Sequence, residues 1–173
     1  MKQVQILIDS ACDMQQPEAE RLGVTLLPLR TSFDGEVFLD GVDLSHEAFF
    51  EKLTQSKTLP ASSLVPPYDY EKAYRQAQKA GREILVISLS SRLSGTYQSA
   101  VIAAQQMGAD VTIVDSENVT AGERVLVYCT GTLRNNAGYA YHAPFRISAA
   151  GDTLVLLSSA HQETEAIHEL TGR

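Results

Sequence analysis

The sequence predicts an α/β protein, a three-layer fold with helices on both faces of a parallel-rich sheet, followed by an irregular C-terminal tail. Three observations predict it. Apolar runs of strand length recur at residues 4–8, 24–29, 84–89 and 111–114. Segments with helical spacing lie between most of them. Polar clusters end three of the runs: Asp9-Ser10, Ser90-Ser91 and Asp115-Ser116. Strands alternating with single helices imply βαβ units and a mostly parallel sheet. In such sheets ligands bind at the carboxyl ends of the strands.

The elements follow in order. Val4, Ile6, Leu7 and Ile8 form a run suited to a strand buried on both faces. A helix over residues 17–22 is closed by Gly23. The next strand runs over 24–29, with Pro28 near its end. Asp34-Gly35 between apolar residues signals a tight hairpin. Ser45 is placed to cap a short helix through Phe49, Phe50 and Leu53. Residues 58–67 read as loop, and Pro67 suits the first turn of a helix. That helix carries Tyr70, Ala73, Tyr74 and Ala77 on one face and ends at Gly81. Residues 84–89 are the clearest strand. A helix starting at Ser94 should bury Tyr97, Ala100, Val101 and Ala104, spaced i, i+3, i+4, i+7, and Gly108 closes it. From Tyr128 to Phe145 neither helical nor strand period is evident. Beyond that, residues 153–157 suit a strand and 161–170 a helix.

Composition narrows the function. The chain has 173 residues, of which 44% are hydrophobic and 20% charged, close to soluble globular averages. A net charge of -7 argues against nucleic-acid binding, which needs clustered Lys and Arg. It also argues against charge-driven docking on an anionic membrane. Two cysteines, Cys12 and Cys129, supply neither a disulfide framework nor a metal pair. They read as small buried fillers. There is no signal-peptide pattern and no run of 18 apolar residues, so a soluble cytoplasmic protein without integral membrane association is expected.

The chemistry concentrates at Ser94-Gly95-Thr96. A Ser-Gly-Thr that opens a helix exposes backbone N–H groups with no intrahelical partner. The helix N-terminus carries partial positive charge and glycine permits close approach, which suits a carboxylate or phosphate. Read alone, Ser94 could equally be a helix cap, and Ser62 and Ser63 loop serines in local turn bonds. Asp9 and Ser10 lie along the same edge, although Ser10 could cap the following turn. No G-x-S-x-G elbow is present and no histidine stands near these segments, so no catalytic residue is expected. His161, Glu165 and His168 share a helical face, read as solvated, and no metal site is expected.

Four segments, in order and at matching spacing, resemble the DegV family: Ile8-Asp9-Ser10-Ala11-Cys12-Asp13, Leu59-Pro60-Ala61-Ser62-Ser63, the run from Ser90 through Ser94-Gly95-Thr96 to Ala100, and Val114-Asp115-Ser116. The resemblance covers residues 3–127. It implies a bacterial protein of two α/β lobes that binds one long-chain fatty acid, without a cofactor, and presents the acyl group to a fatty-acid kinase catalytic subunit for phospholipid synthesis. By position it assigns the carboxylate contacts to Ser62, Ser94 and Gly95, with Asp9, Ser10, Ser63 and Thr96 lining the site. The family loop usually reads Thr-Ser-Gln-Pro; here it reads Ser62-Ser63-Leu64-Val65. Residues 1–127 then form one fatty-acid-binding lobe and 128–173 a diverged or truncated remnant of the second. Such a lobe is expected to bind weakly and to self-associate through an exposed apolar face. The alternatives are a phosphotransferase-like α/β enzyme that holds phosphate at the same helix, and a fragment keeping the fold without the activity.

Overall fold

A computed structural model describes residues 3–135, 146–150 and 153–157, with side chains for 3–128. The elements are β1 (Val4–Asp9), a 3-10 turn (Ser10–Cys12), α1 (Gln16–Leu22), β2 (Val24–Leu27), β3 (Arg30–Phe33), β4 (Glu36–Leu39), α2 (His46–Gln55), β5 (Ala61–Ser63), α3 (Pro67–Lys79), β6 (Glu83–Ser88), α4 (Thr96–Met107), β7 (Val111–Asp115), α5 (Ala121–Asn135), β8 (Arg146–Ala150) and β9 (Thr153–Leu157).

β1, β2, β6 and β7 form one sheet in the order β2-β1-β6-β7, with every pair parallel. Alternate residues of β1 and β6 face opposite sides. Leu7, Ile84 and Val86 pack with Tyr70, Ala73, Tyr74 and Ala77 of α3 and with Ala100 and Ala103 of α4. Ile6, Ile8, Leu85 and Ile87 pack with Ala19 of α1 and with Leu126 and Val127 of α5. The sheet therefore has helices on both faces, as the sequence predicts. Leu7, Ile8, Val86 and Ile87 are completely buried, and each such side chain stabilises the fold by about 1.5–3 kcal/mol relative to exposure.

A second, antiparallel sheet has the order β4-β3-β5. Its β3–β4 turn is the expected hairpin: Asp34 and Gly35 both have positive φ (48° and 91°) between the paired Phe33 and Glu36. A two-residue turn of that hand matches strand twist, and glycine takes the second position without strain. Ser45 caps α2, its Oγ accepting from the Ala48 N–H at 3.2 Å. β8 and β9 pair antiparallel, and β9 matches the strand expected at 153–157.

Four expectations need correction. Residues 61–63 are not loop but β5, which pairs with β3. The second strand stops at Leu27, and after Pro28 the chain enters the other sheet. α4 buries Thr96, Ser99, Ala100 and Ala103, one position before the expected stripe. Small residues at 99, 100 and 103 let α4 lie close enough to α3 for the Tyr74 hydroxyl to donate to the Ala100 carbonyl at 3.1 Å. Tyr97, Val101 and Ala104 are only partly buried. Finally, α5 runs through Tyr128 to Asn135, where no period was evident, and crosses residue 127. Cys12 is buried as expected. The side chain of Cys129 and the expected helix at 161–170, with His161, Glu165 and His168, lie outside what is described.

Candidate functional site

Strand order reverses between β1 and β6: β2 lies beyond β1 on one side and β7 beyond β6 on the other. The crevice outside the carboxyl ends of such a strand pair is where open α/β sheets bind ligands. Asp9 ends β1 there and is completely buried. The Leu89 N–H (2.9 Å) and the Ser88 hydroxyl (3.3 Å) donate to its Oδ2, and the Ala11 N–H (3.2 Å) to its Oδ1. Burial pushes its carboxyl up to about 6 against those donors. Asp9 thus clamps the end of β6 to the end of β1. Ser10 is equally committed: its hydroxyl donates to Asp40 Oδ2 at 2.7 Å and accepts from the Leu29 N–H at 3.0 Å. It ties the first sheet to the second. Both side chains are thus engaged within the protein.

The loop after β6 turns on Ser90, whose carbonyl accepts from the N–H groups of Leu93 (2.9 Å) and Ser94 (3.2 Å). Ser94 is half-buried, and its Oγ accepts from the Thr96 N–H at 3.2 Å and is hydrogen-bonded to Thr96 Oγ1 at 2.9 Å. Gly95 is the cap residue of α4. The first α-helical bond runs from the Ser99 N–H to the Gly95 carbonyl at 3.0 Å. The N–H groups of Tyr97 and Gln98 precede it and have no intrahelical partner. The Gly95 N–H has no protein acceptor among the described residues. These donors sit at the positive end of a twelve-residue helix and face the exposed edge, an arrangement that attracts an anion.

β5 reaches the same place from the other sheet. Ser62 lies opposite Thr31 and Ser63 opposite Arg30 of β3, and both serines are exposed. The chain then turns inward, and the Val65 N–H donates to the buried Thr96 Oγ1 at 3.4 Å. That bond holds the Ser62–Ser63 segment against the start of α4, so the structure brings together the two segments that carry Ser62, Ser94 and Gly95. Thr96 itself is buried and engaged internally. Leu64, which sequence reasoning missed, lies on Gly95: a Cβ added there would stand 3.0 Å from Leu64 Cδ2. The missing side chain of Gly95 therefore makes room for Leu64 rather than for a ligand. Leu64, Leu93 and Val119 are exposed on the loops of this edge.

On the other side of Asp9, α5 brings Glu123 into its first turn. Glu123 is completely buried, and neither carboxyl oxygen has a hydrogen-bond partner among the described residues. Burial first, and the negative charges of Asp9 and Asp13 second, push its carboxyl up to about 10. No sequence pattern marked it, because a lone Glu in a first helical turn is ordinarily a solvated dipole partner. Two open concavities lie elsewhere, one of about 570 Å³ lined by Pro17, Glu18, Arg21, Arg124 and Tyr128 and one of about 410 Å³ along α3. The candidate site is thus an exposed edge shared by two sheets.

A parallel sheet with helices on both faces and an antiparallel sheet tied to its carboxyl edge define an α/β lobe. The chain belongs to the DegV family, whose model, described as "Uncharacterised protein, DegV family", matches residues 3–138. A DegV domain-containing protein of Deinococcus radiodurans is 39% identical over 119 residues, which cover 69% of this chain and 42% of that protein. One from Clostridium perfringens is 30% identical over 128 residues, covering 73% and 46%. A DegV family protein from Thermus thermophilus, solved in a study of its fatty-acid binding, superposes with a TM-score of 0.71 at 26% identity, covering 97% of this chain and 53% of that one. DegV of Bacillus subtilis, described as a fatty acid binding protein, shares the fold with a TM-score of 0.70 at 21% identity, covering 99% and 54%. The chain spans about half the length of the relatives it matches. No helix among the described residues is long and apolar enough to cross a membrane.

Proposed function

We propose that this chain binds a long-chain fatty acid through its carboxylate at the start of α4, held by Ser62, Ser94 and the Gly95 N–H. It acts as a non-catalytic cytoplasmic carrier, without a cofactor, that presents the acyl group to a partner kinase for phospholipid synthesis. Residues 1–127 are its binding lobe, and 128–173 belong to a diverged second lobe. The observation that carries the reading is the Val65–Thr96 hydrogen bond, which sets an exposed serine strand beside a helix start with unspent donors. The fatty-acid binding of the Thermus thermophilus relative supports the ligand class. Exposed Leu64, Leu93 and Val119 suit contact with hydrocarbon, and in the unliganded chain they favour self-association.

The direct test is native mass spectrometry of the 173-residue protein purified from bacteria. A co-purified C16–C18 acid is expected. A bound nucleotide or a phosphorylated residue would instead favour the phosphotransferase reading, and a bare protein that also fails to take up palmitate in a titration would leave only the fold. Sedimentation velocity with and without palmitate checks the self-association, which ligand should reduce.

A further inference from the structure

Two helices turn faces of opposite charge to solvent, and neither face is used by the fold or by the α4 start. On α3 the exposed Tyr68, Lys72, Arg75 and Lys79 recur at i, i+4, i+7 and i+11, which sets them on one side of the helix. The open concavity of about 410 Å³ lies along this side, with three cations against one carboxylate, Glu71, in its lining. Lys72 and Lys79 have no ion-pair partner among the described residues. Arg75 pairs only with Glu71, at 3.4 Å, and its side chain stays 61% exposed. Tyr68 is also largely exposed, and Arg30 fixes it by donating from Nη2 to the hydroxyl at 3.1 Å.

α2 is the complement. It is seated by Phe49, which meets the Phe33 ring edge-on at 5.4 Å between centroids. Away from that contact it exposes Glu47, Phe50, Glu51 and Thr54, at i, i+3, i+4 and i+7. Residues 34–51 hold six carboxylates and no Lys or Arg, so this is an acidic surface. The adjacent Lys52 is spent on Glu36 at 3.5 Å and on the Phe38 ring at 4.5 Å. Glu47 and Glu51 have no ion-pair partner among the described residues. We propose that the outer face of α3 docks on the outer face of α2 of a second copy of this chain. Cations and carboxylates that each recur about once per turn come opposite one another on facing helices, as flanking charges do in coiled coils. Phe50 offers its ring to an incoming Lys or Arg. Copies with a net charge of -7 repel over most of their surface, so a basic face is where a second copy can approach. The two faces are different patches of one chain. Each contact therefore leaves a free α3 on one copy and a free α2 on the other, and copies add head to tail unless a ring closes. No residue of the α4 start takes part, and the contact does not depend on the fatty-acid reading.

The experiment is sedimentation velocity of the full 173-residue chain with palmitate present, so that association through the exposed leucines is suppressed. Between about 50 mM and about 500 mM NaCl the screening length falls from about 14 Å to about 4 Å. Wild type should associate at the lower salt and dissociate at the higher. Lys72→Glu/Lys79→Glu and Glu47→Lys/Glu51→Lys should each stay monomeric where wild type associates. An equimolar mixture of the two should associate again, because each supplies the face that the other lacks. Thermal melts report whether the variants are folded. The neutral variant Lys72→Gln/Lys79→Gln should weaken association by about tenfold, and it decides the question even if a charge-reversed variant fails to fold. A wild type that stays monomeric, association indifferent to salt, unchanged association in the neutral variant, or a mixture of folded reversed variants that stays apart overturns the proposal.

Discussion

Two helices begin at the same edge of the parallel sheet, and they treat their first turns in opposite ways. α4 starts on Ser94-Gly95-Thr96, half-open to solvent, with N–H groups that its own chain does not consume. α5 starts on exposed Thr120 and Ala121 but turns an acidic side chain, Glu123, into the core in that turn. Both helix ends carry the same partial positive charge. At α4 the segment that follows β5 stands beside it, tied to Thr96 by the Val65 N–H. In α5 the same electrostatic resource sits beside a carboxyl that burial keeps protonated. A helix start therefore becomes a candidate site through what flanks it, and the contrast can be tested from both sides.

The largest effect is expected at Glu123. A carboxyl whose folded value lies above its unfolded value is protonated in the folded protein and ionised in the unfolded chain between the two. Stability is thus fully present below the unfolded value and falls as pH rises. For Glu123 the window runs from 4.5 to about 10, and for Asp9 from 3.8 to about 6. Between pH 5 and pH 8 Glu123 alone should remove on the order of 4 kcal/mol. Glu123→Gln should flatten that decline, read as urea midpoints at the two pH values. Parallel pH profiles for wild type and variant would show that α5 does not hold a neutral acid.

The next effect belongs to α4. Ser94→Ala should weaken palmitate binding by about 1.5–3 kcal/mol, the range for a hydrogen bond to a charged group, and lower the melting temperature slightly through its lost bonds to Thr96. Gly95→Val should weaken binding comparably, because its side chain would displace Leu64. Equal affinities in calorimetry for both variants and wild type would remove the distinction between the two helix starts.

Two smaller changes isolate packing from binding. Tyr74→Phe deletes the buried bond to the Ala100 carbonyl, the contact that seats α4 on α3, and should cost about 1 kcal/mol of stability. Ser45→Ala removes the cap of α2 and should cost about 0.5–1 kcal/mol while leaving palmitate affinity unchanged. A loss of affinity in Ser45→Ala would mean that the second sheet transmits strain to the site.

Elements with strong periodicity or distinctive turn chemistry were legible in the sequence: β1, β6, the Asp34-Gly35 hairpin, the Ser45 cap and the buried face of α3. β5 was not, because an exposed edge strand of three residues, Ala61–Ser63, shows no alternation. α4 was found but rotated by one position. Tyr97 and Val101 look more hydrophobic than Ser99 and Ala103, yet close helix packing selects small residues over apolar ones. α5 was missed because its buried face mixes Glu123 with Leu126 and Val127, and a protonated acid reads as a charge in a hydrophobicity pattern. Of the proposed site, Ser62, Ser94 and Gly95 are nominated by family spacing. Their juxtaposition was not, since it depends on Thr96 and Val65, which are 31 residues apart. The engagement of Ser10 by Asp40 crosses 30 residues and left no local trace.

The strand that carries Ser62 belongs to the antiparallel sheet, and the helix that carries Ser94 belongs to the parallel one. Between them run two hydrogen-bonded ties, Ser10 to Asp40 and Leu29 at one end and Val65 to Thr96 at the other. The spacing of the two serines therefore depends on these ties, much as a caliper's gap is set at its pivot. A ligand gripping both jaws is a brace as well as a passenger. Bound to Ser62 on β5, it would stiffen the β3–β4–β5 ribbon as far as the β3–β4 turn.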